Sequence, residues 1–140
     1  MSLLLNLLWL FLGPGILSAL FWLIAAVLMA LTIIGIPWAR ACLMLAGYSL
    51  LPFGHRLVSV EEATGRGSIG TGPLGLLANI VWFVLAGWWL ALWHLVVAAG
   101  QAITIIGIPF AWANLKLAGA SLAPVGKSVV EADFPGLRPR

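Results

Sequence analysis

Thr32-Ile33-Ile34-Gly35-Ile36-Pro37 occurs again, unchanged, as Thr104-Ile105-Ile106-Gly107-Ile108-Pro109, 72 residues later. The register extends downstream without a gap, so that 17 of the 27 positions 32–58 are identical to positions 104–130. The matches include Gly47/Gly119, Ser49/Ser121, Pro52/Pro124 and Gly54/Gly126, which a leucine-rich composition alone would not align. Upstream, Gly15/Gly87, Ala19/Ala91 and Ala26/Ala98 keep the offset; earlier still it becomes 73, pairing Asn6 with Asn79 and Trp9 with Trp82. The chain is an internal duplication, and each copy is a long hydrophobic run, a Gly-Ile-Pro turn, a shorter run and Pro-x-Gly.

The solvent for these runs is lipid. Of the 140 residues, 63% are hydrophobic and 8% charged, against roughly 45–50% and about 25% in soluble domains. Residues 1–39 and 67–115 carry no charged side chain. A fold of this size cannot cover itself with eleven charges in water, whereas an apolar exterior costs nothing in hydrocarbon. The net charge of +3 does not indicate nucleic acid, which needs a dense basic patch on a polar surface. The single cysteine, Cys42, excludes an intrachain disulfide framework and a thiolate metal site. The N-terminal run lacks a basic n-region and exceeds the 7–15 residues of a signal h-region, so it is expected to be retained.

The long runs, 3–34 and 74–106, would each span about 48 Å as one helix, more than the roughly 30 Å hydrocarbon core. Gly13-Pro14-Gly15 and the matching Ala86-Gly87 are therefore expected to break them, leaving crossings at 15–35 and 87–107. Pro37 and Pro109 suit the first turn of a following helix, and the short runs 38–51 and 110–123 end at Pro-x-Gly. The fold class expected is an all-α integral membrane protein of two repeated helical hairpins, related by a pseudo-twofold in a parallel repeat. The organisation expected is repeat 1 over 1–60, a Gly-rich cytoplasmic linker over 61–73, repeat 2 over 74–132 and a cytoplasmic tail over 133–140. A two-way hairpin in each copy gathers Arg56, Arg66, Lys127, Arg138 and Arg140 on one side, which the positive-inside tendency assigns to the cytoplasm together with both termini.

The segments Asn79-Ile80, Gly87-Trp88-Trp89-Leu90, His94, Ile105-Ile106-Gly107-Ile108-Pro109, Ala113-Asn114, Lys116 and Pro124-Val125-Gly126-Lys127 resemble the YccF-like inner membrane proteins of bacteria. The resemblance runs through nearly the whole chain and includes its two-copy organisation. It implies a multi-pass protein of the bacterial cytoplasmic membrane. It implies no activity, and it carries over no catalytic or ligand residues.

Ionisable side chains inside apolar helices point to function by default. Arg40 and Lys116 are such residues, at positions that align with Trp112 and Met44. Since 40/44 and 112/116 are both i,i+4 pairs, the two cations fall on corresponding helix faces. Two such faces meeting at the pseudo-twofold would form a patch for an anion or lipid headgroup; the plainer expectation for Arg40 is snorkelling to the interface. His94, Asn114 and Trp112 join Arg40 and Lys116 as candidate anion, lipid or pore-lining residues; for His94 a hydrogen-bonded structural role is favoured over a proton relay, because no carboxylate lies in the apolar segments. Asn6, Asn79, Gln101 and Asn114 are read as interhelical hydrogen-bond formers, and the eight tryptophans, Trp112 among them, as headgroup anchors. Gly35, Pro37, Gly107 and Pro109 are the repeat turns. Gly65-Arg66-Gly67 lacks the spacing of a phosphate loop and reads as a connector.

Glu61, Glu62, Glu131 and Asp133 form no acid/base constellation with the histidines, so no enzyme, no metal site and no cofactor is expected. Expected partners are the lipid bilayer, with an anionic lipid, and further copies of the chain as a homo-oligomer; nucleic acid is not. The leading functional reading is an oligomeric channel or small-solute and anion pathway. The alternative is a non-transporting scaffold or lipid-binding subunit of a larger complex.

Overall fold

The structure is a computed structural model and describes residues 1–132. The predicted tail 133–140, with Asp133, Arg138 and Arg140, lies outside the described residues. The elements run α1 (Ser2–Leu12), α2 (Gly15–Leu31), α3 (Ile36–Leu50), β1 (His55–Ser59), α4 (Val60–Thr64), α5 (Pro73–Trp82), α6 (Trp88–Ala102), α7 (Gly107–Leu122) and β2 (Lys127–Glu131). The most extensive packing is between α2 and α3 and between α6 and α7.

The Gly-Ile-Pro turns are closed by a local device that explains their composition. Thr32 Oγ1 donates to the Met29 carbonyl at 2.7 Å and accepts from the Gly35 amide at 3.0 Å. Thr104 does the same with Gln101 and Gly107, at 3.2 and 3.0 Å. A Cβ on Gly35 or Gly107 would collide with the Met29 or Gln101 carbonyl, so glycine is required there for lack of space. Pro37 follows in the opening turn of α3, where its missing N–H is one that the helix leaves unpaired anyway.

The two long runs part company upstream. In the first, α1 and α2 meet at an angle of 75°. In the second, the expected break at Ala86-Gly87 does not occur: α5 and α6 join through a π turn over Phe83–Gly87 into one helix, Pro73–Ala102, of 30 residues. The difference has a chemical cause. Pro14 lacks the N–H that would continue the ladder and its ring crowds the preceding turn; the second run has Ala86 in the aligned place. This helix would extend about 45 Å at 1.5 Å per residue. It is long and apolar enough to cross a membrane, as is the bent α1–α2 pair if it counts as a single span.

The exterior of these helices is apolar. Phe11, Phe21, Leu31, Leu85, Trp93 and Ile103 are among the large side chains left largely exposed. The core is a seam between the two halves, filled by Trp9, Trp22, Cys42, Leu45, Trp82, Phe110, Ala113 and Leu117. Trp9 meets Phe110 edge-on at 5.7 Å, and Trp22 lies 6.3 Å from Trp82, each contact joining one half to the other. Three of the eight tryptophans, Trp9, Trp22 and Trp82, are thus core residues rather than headgroup anchors.

A second correction concerns the ends of the short helices. The mostly helical chain also contains a two-stranded antiparallel ribbon, β1 with β2, which an all-α reading omits. Gly54 and Gly126, at φ of 80° and 78°, take the left-handed conformation that lets each chain turn from helix into strand. The register runs from His55↔Glu131 through Leu57↔Val129 to Ser59↔Lys127. At the start of the expected linker 61–73, Ser59 just before it and Glu62 within it form a reciprocal capping box that starts α4.

Trp9 and Trp82 cap the helices they cross. An α-helix leaves its last four carbonyls without partners. Trp9 Nε1 donates to the Ser49 carbonyl of α3 at 2.7 Å, and Trp82 Nε1 to the Ser121 carbonyl of α7 at 2.8 Å. Replacing either with Phe keeps the ring but strands a buried acceptor, at a cost of about 1–3 kcal/mol. Reversible SDS unfolding of the detergent-solubilised chain should show a loss of that size for Trp9→Phe and for Trp82→Phe, with little change for exposed Trp93→Phe.

Candidate functional site

Two polar clusters stand out against the apolar background. The first lies where α7 meets the ribbon. Lys116 projects from α7 across the seam and donates from Nζ to the carbonyls of Pro52, at 2.8 Å, and His55, at 2.9 Å. The same ammonium sits 6.0 Å from the centre of the Tyr48 ring. Beside it opens a cleft of about 360 Å³ lined by Tyr48, Arg56, Leu57, Lys116, Gly119, Ala120, Ala123 and Lys127. Lys116, Gly119 and Ala120 fall at i, i+3 and i+4 on one face of α7, Ala123 follows just past its end, and three of these four are small. Arg56 Nε is buried without a hydrogen-bond partner.

The second cluster lies inside the α6–α7 pair. His94 and Asn114 are buried, and His94 Nδ1 is 2.9 Å from Asn114 Oδ1. Asn114 Nδ2 donates to Gln101 Oε1 at 2.7 Å and to the Phe110 carbonyl at 3.3 Å. A backbone carbonyl only accepts, so the Asn114 amide nitrogen faces Phe110 and its oxygen faces His94. His94 therefore carries its proton on Nδ1 and donates it to Asn114. The chain of donors runs from His94 through Asn114 to Gln101, a satisfied polar string between two helices.

Of the residues singled out from sequence, the structure brings His94 together with Asn114 and adds Gln101. It does not bring Arg40 to Lys116. Arg40 is exposed near the start of α3, whereas Lys116 ends on carbonyls beyond the other end of that helix, about 15 Å of helix away. Among the described residues Arg40 makes no hydrogen bond or ion pair. Trp112 is exposed on α7. Arg56 and Lys127, read above only as topology determinants, and Tyr48, not singled out at all, are the neighbours that Lys116 acquires. Their signal in the sequence was faint: the small-residue face of α7 is visible, but the strand pairing that delivers Arg56 and Lys127 is not. The turn residues Gly35, Pro37, Gly107 and Pro109 lie at the far end from this cleft.

Among the described residues no group of three or more His, Cys, Asp or Glu side chains could hold a metal ion. A family model described as YccF, inner membrane component domain, matches the chain twice, over residues 4–55 and 77–127. The chain belongs to the YccF family. It is similar to the inner membrane protein YccF of Escherichia coli (strain K12), 38% identical over 122 residues that cover 85% of this chain and 81% of that protein. The inner membrane protein YccF of Shigella flexneri matches to the same extent. No solved structure matches the chain. This YccF-family chain is an inner-membrane component, and its apolar exterior is the surface such a placement requires.

The polar string generates a test. Removing Asn114 alone leaves the His94 N–H and the Gln101 carbonyl without their partner; hydrogen bonds of this kind between membrane helices are worth about 0.6–2 kcal/mol. Asn114→Leu should lose about that much stability in SDS unfolding. The triple change His94→Phe, Asn114→Leu, Gln101→Met should recover part of it, because no polar group is then stranded.

Proposed function

We propose that this chain is a multi-pass, non-catalytic inner-membrane scaffold of two parallel helical hairpins, with the ribbon end and both termini in the cytoplasm. The observation that carries the topology is the pairing of β1 with β2. Their central pair, Leu57↔Val129, joins residues 72 apart, the offset of the repeat, so the ribbon has its own twofold axis between equivalent positions. In an inverted repeat the two strands would lie on opposite faces of the bilayer and would not meet. Arg56, Arg66 and Lys127 accompany this end, and the positive-inside tendency directs it to the cytoplasm.

The non-transporting reading is supported by the seam between the halves. It is occupied by Trp9, Trp22, Leu45, Trp82, Phe110 and Leu117 rather than by polar side chains. Passage through a single chain would have to displace indoles that are fixed to helix carbonyls. One observation favours the other reading, an anion or small-solute pathway between assembled copies: the His94–Asn114–Gln101 string supplies polar groups within an apolar helix pair.

Two measurements test these statements. In a Cys42→Ser background, a single cysteine at Gly67 should react with impermeant maleimide only in inside-out vesicles, and one at Ile105 only in intact spheroplasts. Labelling of both from one side would end the hairpin topology. Purified protein in liposomes should pass Cl⁻ no faster than empty vesicles. A flux that Asn114→Leu abolishes would establish the channel reading instead.

A further inference from the structure

Three cations, Arg56, Lys116 and Lys127, line one open cleft, and the acids of the described chain, Glu61, Glu62 and Glu131, do not. Like charges gathered without a counter-charge are unfavourable unless an anion joins them. The donors left over point the same way. An ammonium has three N–H groups, and Lys116 spends two on Pro52 and His55. Among the described residues, the side chains of Arg56 and Lys127 and the Tyr48 hydroxyl have no hydrogen-bond or ion-pair partner, and Arg56 Nε is already buried in that state.

Room for a ligand is provided by α7. A Cβ built on Gly119 would meet nothing within 4 Å, and Ala120 and Ala123 continue the small-residue floor. The volume of about 360 Å³ falls within the roughly 300–1,000 Å³ usual for small-ligand clefts. Outside the cleft, Leu115 and Leu122 on α7 and Leu50 and Leu51 at the end of α3 are exposed apolar groups, a surface for hydrocarbon beside the charged one.

The site is not a by-product of the duplication. At the positions related by the repeat, Lys116 is replaced by Met44, Lys127 by His55, and Arg56 by Ser128. The opposite face of the same framework therefore lacks all three cations. We propose that this cleft binds an anionic phosphate ester, the headgroup of an acidic phospholipid in the leaflet at the ribbon end, with Arg56, Lys127 and the third Lys116 N–H as its donors. The assignment of leaflet rests on the topology proposed above; the site itself does not.

The test uses the full chain in dodecyl maltoside, titrated with phosphatidylglycerol or with phosphatidylcholine and read by native mass spectrometry. Phosphatidylglycerol should be retained about tenfold more strongly, the effect of one to two charge-assisted hydrogen bonds. The preference should vanish in Arg56→Gln/Lys127→Gln. It should also vanish in Gly119→Leu, which adds bulk to the cleft without altering charge, at a position where a Cβ meets nothing within 4 Å. Millimolar inorganic phosphate that displaces the lipid from the wild type, but binds neither variant, would support the same site with a soluble phosphate as ligand. Equal retention of the two lipids, or a preference that survives both variants, would overturn the proposal. The Gly67 and Ile105 cysteines, labelled in the same variants, separate a lost lipid site from a lost topology.

Discussion

The ends of α3 and α7 set the constraint on which the rest of the molecule depends. Each helix finishes with carbonyls that have no intrahelical partner, and a buried acceptor left unsatisfied costs about 1–3 kcal/mol. The chain supplies the missing donors from side chains far away in sequence. Trp9 and Trp82 reach Ser49 and Ser121, and Asn6 and Asn79 form two-way amide contacts with the backbone of Phe53 and Val125, at 2.9–3.0 Å. In each half the asparagine and tryptophan are three residues apart and so share a helix face. That spacing pins α1 to the end of α3 and α5 to the end of α7. It also explains why a single-residue change of offset is tolerated between the Trp and Gly15 or Gly87. The indole of Trp9 lies where a side chain on Gly15 would be, and the indole of Trp82 crowds Gly87, so the cap survives both a bent helix and a π-turned one.

The two halves keep their closures and differ between them. The threonine-closed turns, the Asn–Trp caps and the Pro-x-Gly exits recur, while the middle of each half diverges. Where the second half has His94, Gln101 and Asn114, the first has Trp22, Met29 and Cys42. Where the second has Lys116 and Ala120, the first has Met44 and Tyr48. Chemistry is thus concentrated on one side of an otherwise repeated frame.

Much of this frame was legible in the sequence, and the reasons for the rest are specific. Composition and the missing charges in residues 1–39 and 67–115 pointed to lipid, and the identical Thr-Ile-Ile-Gly-Ile-Pro blocks marked the turns. Asn6, Asn79 and Asn114 were recognisable as hydrogen-bond formers because a lone amide in an apolar run has little else to do. The break in the second long run was misread, since Ala86-Gly87 was given the role of Gly13-Pro14-Gly15 although only proline forbids the ladder. The ribbon was missed because His55–Ser59 and Lys127–Glu131 are five residues each, too short for alternation to declare itself. Trp9 and Trp82 were misassigned because an indole as a helix cap depends on a contact 40 or 39 residues away, which no local pattern records.

The ribbon was also what decided the fate of the intramembrane cations. From helix periodicity alone, Arg40 and Lys116 are partners, on matching faces of equivalent helices. In three dimensions each answers to the nearest polar group that its length allows. Arg40, in the opening turns of α3, is exposed and needs no protein partner. Lys116, deeper in α7, lies within reach of the Pro52 carbonyl in the turn after α3 and the His55 carbonyl at the start of β1, and it binds both. The same pull that satisfies those carbonyls brings the ammonium beside Arg56 and Lys127, which the strand pairing holds there. A residue that ties α7 to the turn and strand after α3 thereby becomes one wall of a charged cleft. The carbonyl contacts of Lys116 and its place in the cleft are therefore consequences of one geometry.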